Sequence, residues 1–168
     1  MKFSLPTLAL ILTLLSSCSK YENFAGYEES NDDLTSTVTL VSSDTHTTLE
    51  AELFEMINTY RVSIGLNELE FESTIYYYAG LHTDYMIKNG NTSHDKFSER
   101  AENISKRTSA KFVAENVARN YDTIQDAFDA WLDSPGHRTN IEGDFTDTAI
   151  SIKANSKGDL YFTQLFFR

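Results

Sequence analysis

Apolar residues recur three and four positions apart in three stretches of the chain. Leu49, Leu53, Met56, Ile57, Tyr60 and Ile64 form the first stripe, with Gly65 following as a stop. Ile75, Ala79, His82 and Met86 form the second, within 73–89 and closed by Asn89-Gly90; Ile124, Ala127, Phe128, Trp131 and Leu132 form the third, within 123–133. The spacing predicts three helices. Three further runs, 111–118, 149–154 and 160–167, are dense in branched and aromatic residues and predict strands. The last two flank a five-residue turn at 155–159 containing Gly158, which predicts a hairpin. Helices and strands in an order that is not strictly alternating predict one α+β domain over 49–168, with helices covering a small antiparallel sheet. Neither an internal repeat nor a Gly-rich phosphate loop interrupts this pattern, so nucleotide chemistry has no motif to stand on.

The pattern changes at the front of the chain. Lys2 is followed by an apolar run through Leu15 that carries no charge and breaks at Ser16-Ser17. That is the form of an export signal, and it is shorter than the roughly 20 apolar residues of a membrane span. Leu15-Ser16-Ser17-Cys18 resembles the lipobox of bacterial lipoproteins, which implies that 1–17 is removed and that Cys18 carries acyl groups. Several chains would hold the protein firmly on a membrane where one would be marginal. Ser19, in place of Asp, is compatible with transport to an outer membrane. Cys18 is the only cysteine, so no intramolecular disulfide forms and stability rests on the core.

From Cys18 to Thr48 acidic, hydroxyl and amide side chains dominate, and the segment reads as a flexible tether reaching roughly 30 Å. Thr37 to Val41 has some strand character, and pairing of that stretch with the domain is the alternative to a free tether. The formal net charge is −11 and becomes one unit more negative when the leader and Lys2 are removed. Such a surface excludes nucleic acid as a natural partner and leaves membrane attachment to the lipid.

Three stretches place polar groups where burial or a constrained turn is expected: Ser93-His94, then 114–118 around Glu115-Asn116, then 131–141 from Trp131 to Ile141. In the strand run Glu115 shares a face with Val113 and Val117, which draws a carboxylate into a core or a cleft and demands a partner. A salt bridge to Arg100, Arg119 or Arg138 is the structural alternative to a functional role. Ser134 before Pro135 has the form of a helix start, with the hydroxyl as cap, and puts His137 in a first turn whose dipole favours a neutral imidazole. His82, on an apolar stripe, reads as a core histidine, and Ser93 and Ser134 lack the setting of a nucleophile.

The order of these stretches, followed by Tyr161-Phe162-Thr163-Gln164, resembles the bacterial branch of the CAP superfamily of SCP-like domains, over about 49–168. The resemblance implies a three-layer α-β-α sandwich with a cleft, and an extracytoplasmic location. His94 and Glu115 match the family's first cleft histidine and its Gly-Glu-Asn glutamate, with Ala114 in place of the glycine. Ser134 and Tyr161 stand where a second glutamate and a second histidine are expected, and His137 is the substitute imidazole. Two functions follow as expectations. In the first, His94, Glu115 and His137, with Asn116, Arg138, Tyr161 and Gln164 near the rim, bind a lipid, peptide or cell-wall ligand without chemistry. In the second, His94 and His137 hold Zn²⁺ or another divalent metal and Glu115 is the base of a peptide or peptidoglycan hydrolase.

Overall fold

A computed structural model describes Cys18–Asn23 and residues 46–168; the expected export signal at 1–17 and the central part of the expected tether, 24–45, lie outside the described residues. The elements in chain order are β1 (Cys18–Asn23), α1 (Thr48–Ser63), β2 (Glu70–Phe71), α2 (Ser73–Asn89), α3 (Phe97–Thr108), β3 (Phe112–Arg119), α4 (Ile124–Asp133), α5 (Pro135–Ile141), β4 (Asp147–Ala154) and β5 (Leu160–Phe167). One sheet runs in the order β1-β3-β5-β4-β2. β3, β5 and β4 pair antiparallel, as expected, and β2 adds a short parallel pairing of Glu70 and Phe71 with Asp147 and Thr148.

Side chains alternate across a strand, so neighbouring residues report on opposite faces. Ala114, Ile150, Phe162 and Phe166 enter one core with Leu53 and Ile57 of α1 and Trp131 of α4. Their neighbours Val113, Ala149, Leu165 and Phe167 enter a second core with Ile75 and Ala79 of α2 and Phe97, Ala101 and Ile104 of α3. The result is the α-β-α sandwich. It also explains why the strands read as unbroken apolar runs: both faces are covered. Among the described residues no helix is long and apolar enough to cross a membrane.

Two parts of the segment expected as tether belong to the folded unit. Cys18–Asn23 pair along β3 from Cys18 opposite Val117 to Asn23 opposite Phe112. An unpaired strand edge offers a row of backbone donors and acceptors that any extended segment can satisfy, apolar or not. At the other end the domain begins at His46. The Thr47 hydroxyl accepts from the Glu50 N–H and the Glu50 carboxylate accepts from the Thr47 N–H at 2.7 Å, a capping box that starts α1.

His46 and Glu50 also finish the far edge of the sheet. β2 ends opposite Thr148, leaving the β4 amides beyond it without a strand. The Ile150 N–H donates to His46 Nε2 at 3.0 Å and the Ile152 N–H to Glu50 Oε1 at 2.8 Å. The imidazole lies against Phe54, Phe71 and Tyr76 and must be neutral to accept. Burial lowers its pKa to about 4 against the pull of Glu50. The unfolded chain therefore takes up a proton between the ordinary histidine range and pH 4 that the folded chain refuses. This contribution to stability is complete above about pH 6.5 and is lost as pH falls toward 4, about 2 kcal/mol after allowance for the ring's partial exposure. Urea midpoints at pH 7.5 and 4.5 are expected to fall further for the wild type than for His46→Gln, which keeps an acceptor and removes the titration.

Candidate functional site

Glu115 lies in the middle of β3, fully buried, on the face that carries Val113 and is covered by α2 and α3. Of the three arginines that could answer its charge, the fold selects Arg100, the polar member of the α3 stripe Phe97, Arg100, Ala101, Ile104. Its Nε donates to Glu115 Oε2 at 2.7 Å, its Nη2 stands 2.5 Å from the same oxygen, and its Nη1 donates to the Asp95 carbonyl at 3.2 Å. Arg119 instead donates to the Gly90 carbonyl, and Arg138 to the Leu132 carbonyl at the end of α4.

The second carboxylate oxygen faces imidazoles. His94, in the loop between α2 and α3, stands with Nδ1 2.7 Å from Oε1; since a carboxylate only accepts, this nitrogen donates. His82 Nε2 is 3.8 Å from Oε1 and donates to the Ser93 carbonyl at 2.7 Å. Burial alone would push the Glu115 pKa up, but the His94 hydrogen bond and the Arg100 charge outweigh it and hold the group below the usual carboxylate range. Burial, in turn, lowers the pKa of His82. The cluster is thus an anion, a permanent cation and two imidazoles. Among the described residues His94 Nε2 lies buried with no hydrogen-bond partner, although 12% of the side chain is accessible, the most in the group.

Beside the cluster runs a groove of about 270 Å³ between Tyr78, Leu81 and Tyr85 of α2 and the 96–103 stretch, with His82 and Arg100 along it. A larger open groove of about 680 Å³, between the start of α1 and Ile124, has none of the cluster's residues in its lining.

The other residues expected in the site go elsewhere. Asn116, next to Glu115, points to the opposite face of the sheet, where its amide donates to the His137 carbonyl at 3.2 Å and its oxygen accepts from Asn140 at 2.8 Å. Asn140 also donates to the Glu115 carbonyl at 3.3 Å. The Glu-Asn and His-Arg-Thr-Asn strings are therefore joined by amides that fasten α5 to β3. His137 is buried in that opposite layer, with Ile141 of α5 in the core of α1 and α4. Tyr161 and Gln164, expected at a rim, are buried within β5, Tyr161 beside Met86 and Val117 and Gln164 donating to the Thr148 hydroxyl at 3.2 Å. Ser134 stands at the N-cap position of α5, but its hydroxyl makes no cap bond, and Pro135 alone marks the start. Arg138 is an exposed cap of α4.

A metal does not fit this donor set. Among the described residues no three His, Cys, Asp or Glu side chains converge to hold an ion. Both Glu115 oxygens are engaged, and His82 donates its Nε2 proton to a carbonyl.

The model of the cysteine-rich secretory protein family, CAP, matches residues 54–166. Among curated proteins, the uncharacterized membrane protein YlbC of Bacillus subtilis (strain 168) is 28% identical over 126 residues, 73% of this chain and 35% of that protein. The chain thus spans about a third of that relative's length. Among solved structures, an outer surface protein of Borrelia burgdorferi superimposes with a TM-score of 0.65 at 21% identity, over 70% of this chain and 90% of that one. An extracellular SCP-domain protein of Bacillus anthracis str. Ames gives 0.63 at 24% identity, over 71% and 40% of the two chains. A cysteine-rich secretory protein of Staphylococcus aureus gives 0.61 at 17% identity, over 71% and 38%.

Proposed function

This chain belongs to the cysteine-rich secretory protein family, and from that premise we propose that it is a lipid-anchored module of the cell envelope that binds a ligand beside His94 and performs no hydrolysis. The observation that carries the reading is the closed charge balance at Glu115. A base needs a free lone pair and a reason to take a proton, whereas this carboxylate already accepts from Arg100 and His94 and is held anionic. What the cluster leaves over among the described residues is one ring nitrogen, His94 Nε2, itself buried but on the cluster's most accessible side chain and next in sequence to Asp95, which lines the tyrosine groove. That chemistry suits a hydroxyl or ammonium donor with an apolar body, as a lipid, a peptide or a cell-wall fragment would present.

The test is ¹⁵N NMR of the imidazole side chains of the mature protein during titration with membrane lipid extract, peptides and peptidoglycan fragments, alongside turnover assays on the same fragments. A shift of the His94 resonance without turnover is expected, and it disappears in His94→Ala. Turnover by the wild type that Glu115→Gln abolishes would overturn the reading. The anchor is tested separately: Cys18→Ser is expected to move the protein from the membrane fraction to the soluble envelope fraction, and unchanged membrane association would reject lipid attachment at Cys18.

A further inference from the structure

We infer that β1 pins the domain to an anionic bilayer surface at one corner, so that the end of β3, the close of α2 and the loop leading to His94 face the lipid headgroups. The inference rests on the acyl anchor proposed for Cys18 and goes beyond it, since an anchor alone fixes no orientation. At the tip of a free tether, an acylated Cys18 would leave the domain roughly 30 Å of chain to turn on. Cys18 instead starts a strand, paired with Val117, and the register runs unbroken to Asn23 opposite Phe112. Lys20 falls opposite Glu115, and directly opposite residues share a face of the sheet. There its ammonium stands 5.7 Å from the centre of the Phe97 ring at the start of α3, a cation–π contact that adds a side-chain hold to the backbone pairing.

Acyl chains on Cys18 enter hydrocarbon beneath a headgroup layer of about 5–7 Å, so the bilayer surface must lie close to Val117. β3 runs on past Val117 to Arg119, which donates to the Gly90 carbonyl at the close of α2. Asn91 and Asp122, a few residues from these, are exposed. Diagonally opposite lies Glu70 of β2, at the other edge of the order β1-β3-β5-β4-β2 and level with Val113 through Asp147 and Phe167. Strand spacing and rise put it roughly 20 Å from Cys18. Charge follows the same diagonal. At the near corner Lys88, Arg119 and Lys157 offset Asp122, Asp126 and Asp159, whereas at the far one Glu68, Glu70, Asp144 and Asp147 outnumber Lys111 and Arg168. In a chain of net charge −11, the balanced corner is the one an anionic headgroup layer repels least. The loop from Gly90 to His94 belongs to that corner, which holds the groove lined by Asp95 close to the bilayer.

The test uses the acylated mature lipoprotein on vesicles of phosphatidylethanolamine and phosphatidylglycerol, with a fluorophore on one introduced cysteine. Acylation consumes the Cys18 thiol and the chain has no other cysteine, so the label goes to one place. Quenching by lipid that carries a nitroxide on its headgroup is expected to be about threefold or more stronger at Asn91→Cys and Asp122→Cys than at Glu70→Cys and Asp144→Cys, given the roughly 20 Å between the corners. Inserting about 20 Gly and Ser residues between Cys18 and Ser19, a reach of roughly 25 Å, keeps both lipid and strand and is expected to level the four values. Equal quenching without the insertion would overturn the inference. So would an inequality that the insertion leaves intact, because the strand would then not be what sets it. Mass spectrometry separates the anchor from its consequence: an unmodified Cys18 rejects the anchor and the inference with it, whereas an acylated Cys18 with equal quenching rejects the pinning alone.

Discussion

Glu115→Leu is expected to destabilise the domain by about 4 kcal/mol, and Arg100→Met by a similar amount, whereas the double variant is expected to recover most of the loss. Each single change strands one buried charge, and an uncompensated charge in an apolar layer is worth about 3–5 kcal/mol. Arg100 is only 8% exposed and has no other carboxylate within ion-pair distance among the described residues, so Glu115→Leu leaves it with the Asp95 carbonyl alone. Removing both charges leaves two apolar side chains of similar reach between α3 and β3, where Phe97, Ala101 and Val113 already pack. Urea unfolding of the four proteins at pH 7.5 gives the coupling energy directly, and about 2 kcal/mol or more is expected. Additive losses would mean that the two charges do not hold each other. The sign of the pH dependence is also set. The folded pKa of Glu115 lies below its unfolded value, so the pair stabilises above the ordinary carboxylate range and is lost as pH falls through the folded value. Both leucine-containing proteins lack this component.

The same residues show where the chain is readable from its side-chain pattern and where it is not. α1, α2, α4 and the β4–β5 hairpin carry uninterrupted stripes or runs and fall where the spacing predicts. α3 does not stand out, because Arg100 takes one of the four positions of its inward stripe and acidic and basic residues fill most of its exposed positions. A buried arginine at helical spacing from Phe97, Ala101 and Ile104 is the signal available for it. The burial of Glu115 is legible by alternation with Val113 and Val117, but its partner comes from the helix that the pattern hides. Asn116, Tyr161 and Gln164 suggest a rim because polar residues in a motif suggest a surface. In a sheet covered on both faces, polarity says neither which face a residue occupies nor whether water reaches it. Motif order groups His137 with His94, and only the register that turns Asn116 away from Glu115 assigns α5 to the other layer. β1 leaves no apolar trace, since an edge strand is recruited through its backbone.

Arg61→Met is expected to be as damaging as any change at the cluster, and for a different reason. Arg61 is fully buried at the last turn of α1 and has no carboxylate within ion-pair distance among the described residues. Its charge is spread over four oxygens: Nη1 donates to the carbonyls of Ile141 at 2.7 Å and Gly143 at 2.9 Å, Nε to the Asn67 carbonyl at 2.9 Å, and Nη2 to the Asn67 side chain at 3.1 Å. The first two lie at the C-terminal end of α5, where helix carbonyls lack intrahelical partners and a cation is favoured by the dipole. One guanidinium thereby ties the end of α1 to the end of α5. Burial lowers its pKa while Asp144 works in the opposite direction, which leaves the hydrogen bonds as the reason it is tolerated there. Methionine keeps the apolar stem and abandons all four acceptors, of which the Gly143 carbonyl retains a second donor in the Phe145 N–H. At roughly 1 kcal/mol or more for each lost bond, a loss of about 4 kcal/mol and roughly 15 °C in Tm is expected. Lysine keeps the charge, yet a single ammonium cannot span Asn67 and α5 as the planar fork does, and about 2 kcal/mol is expected to go. Asp144→Asn is expected to change stability by less than about 0.5 kcal/mol, because that carboxylate is exposed and bonded to Arg168. Thermal melts of the three variants decide between the two accounts. An ordering in which methionine is worst, lysine intermediate and the Asp144 variant near wild type identifies the carbonyl network, whereas an Asp144 effect as large as that of lysine would show that charge attraction, and not hydrogen bonding, holds Arg61 in place.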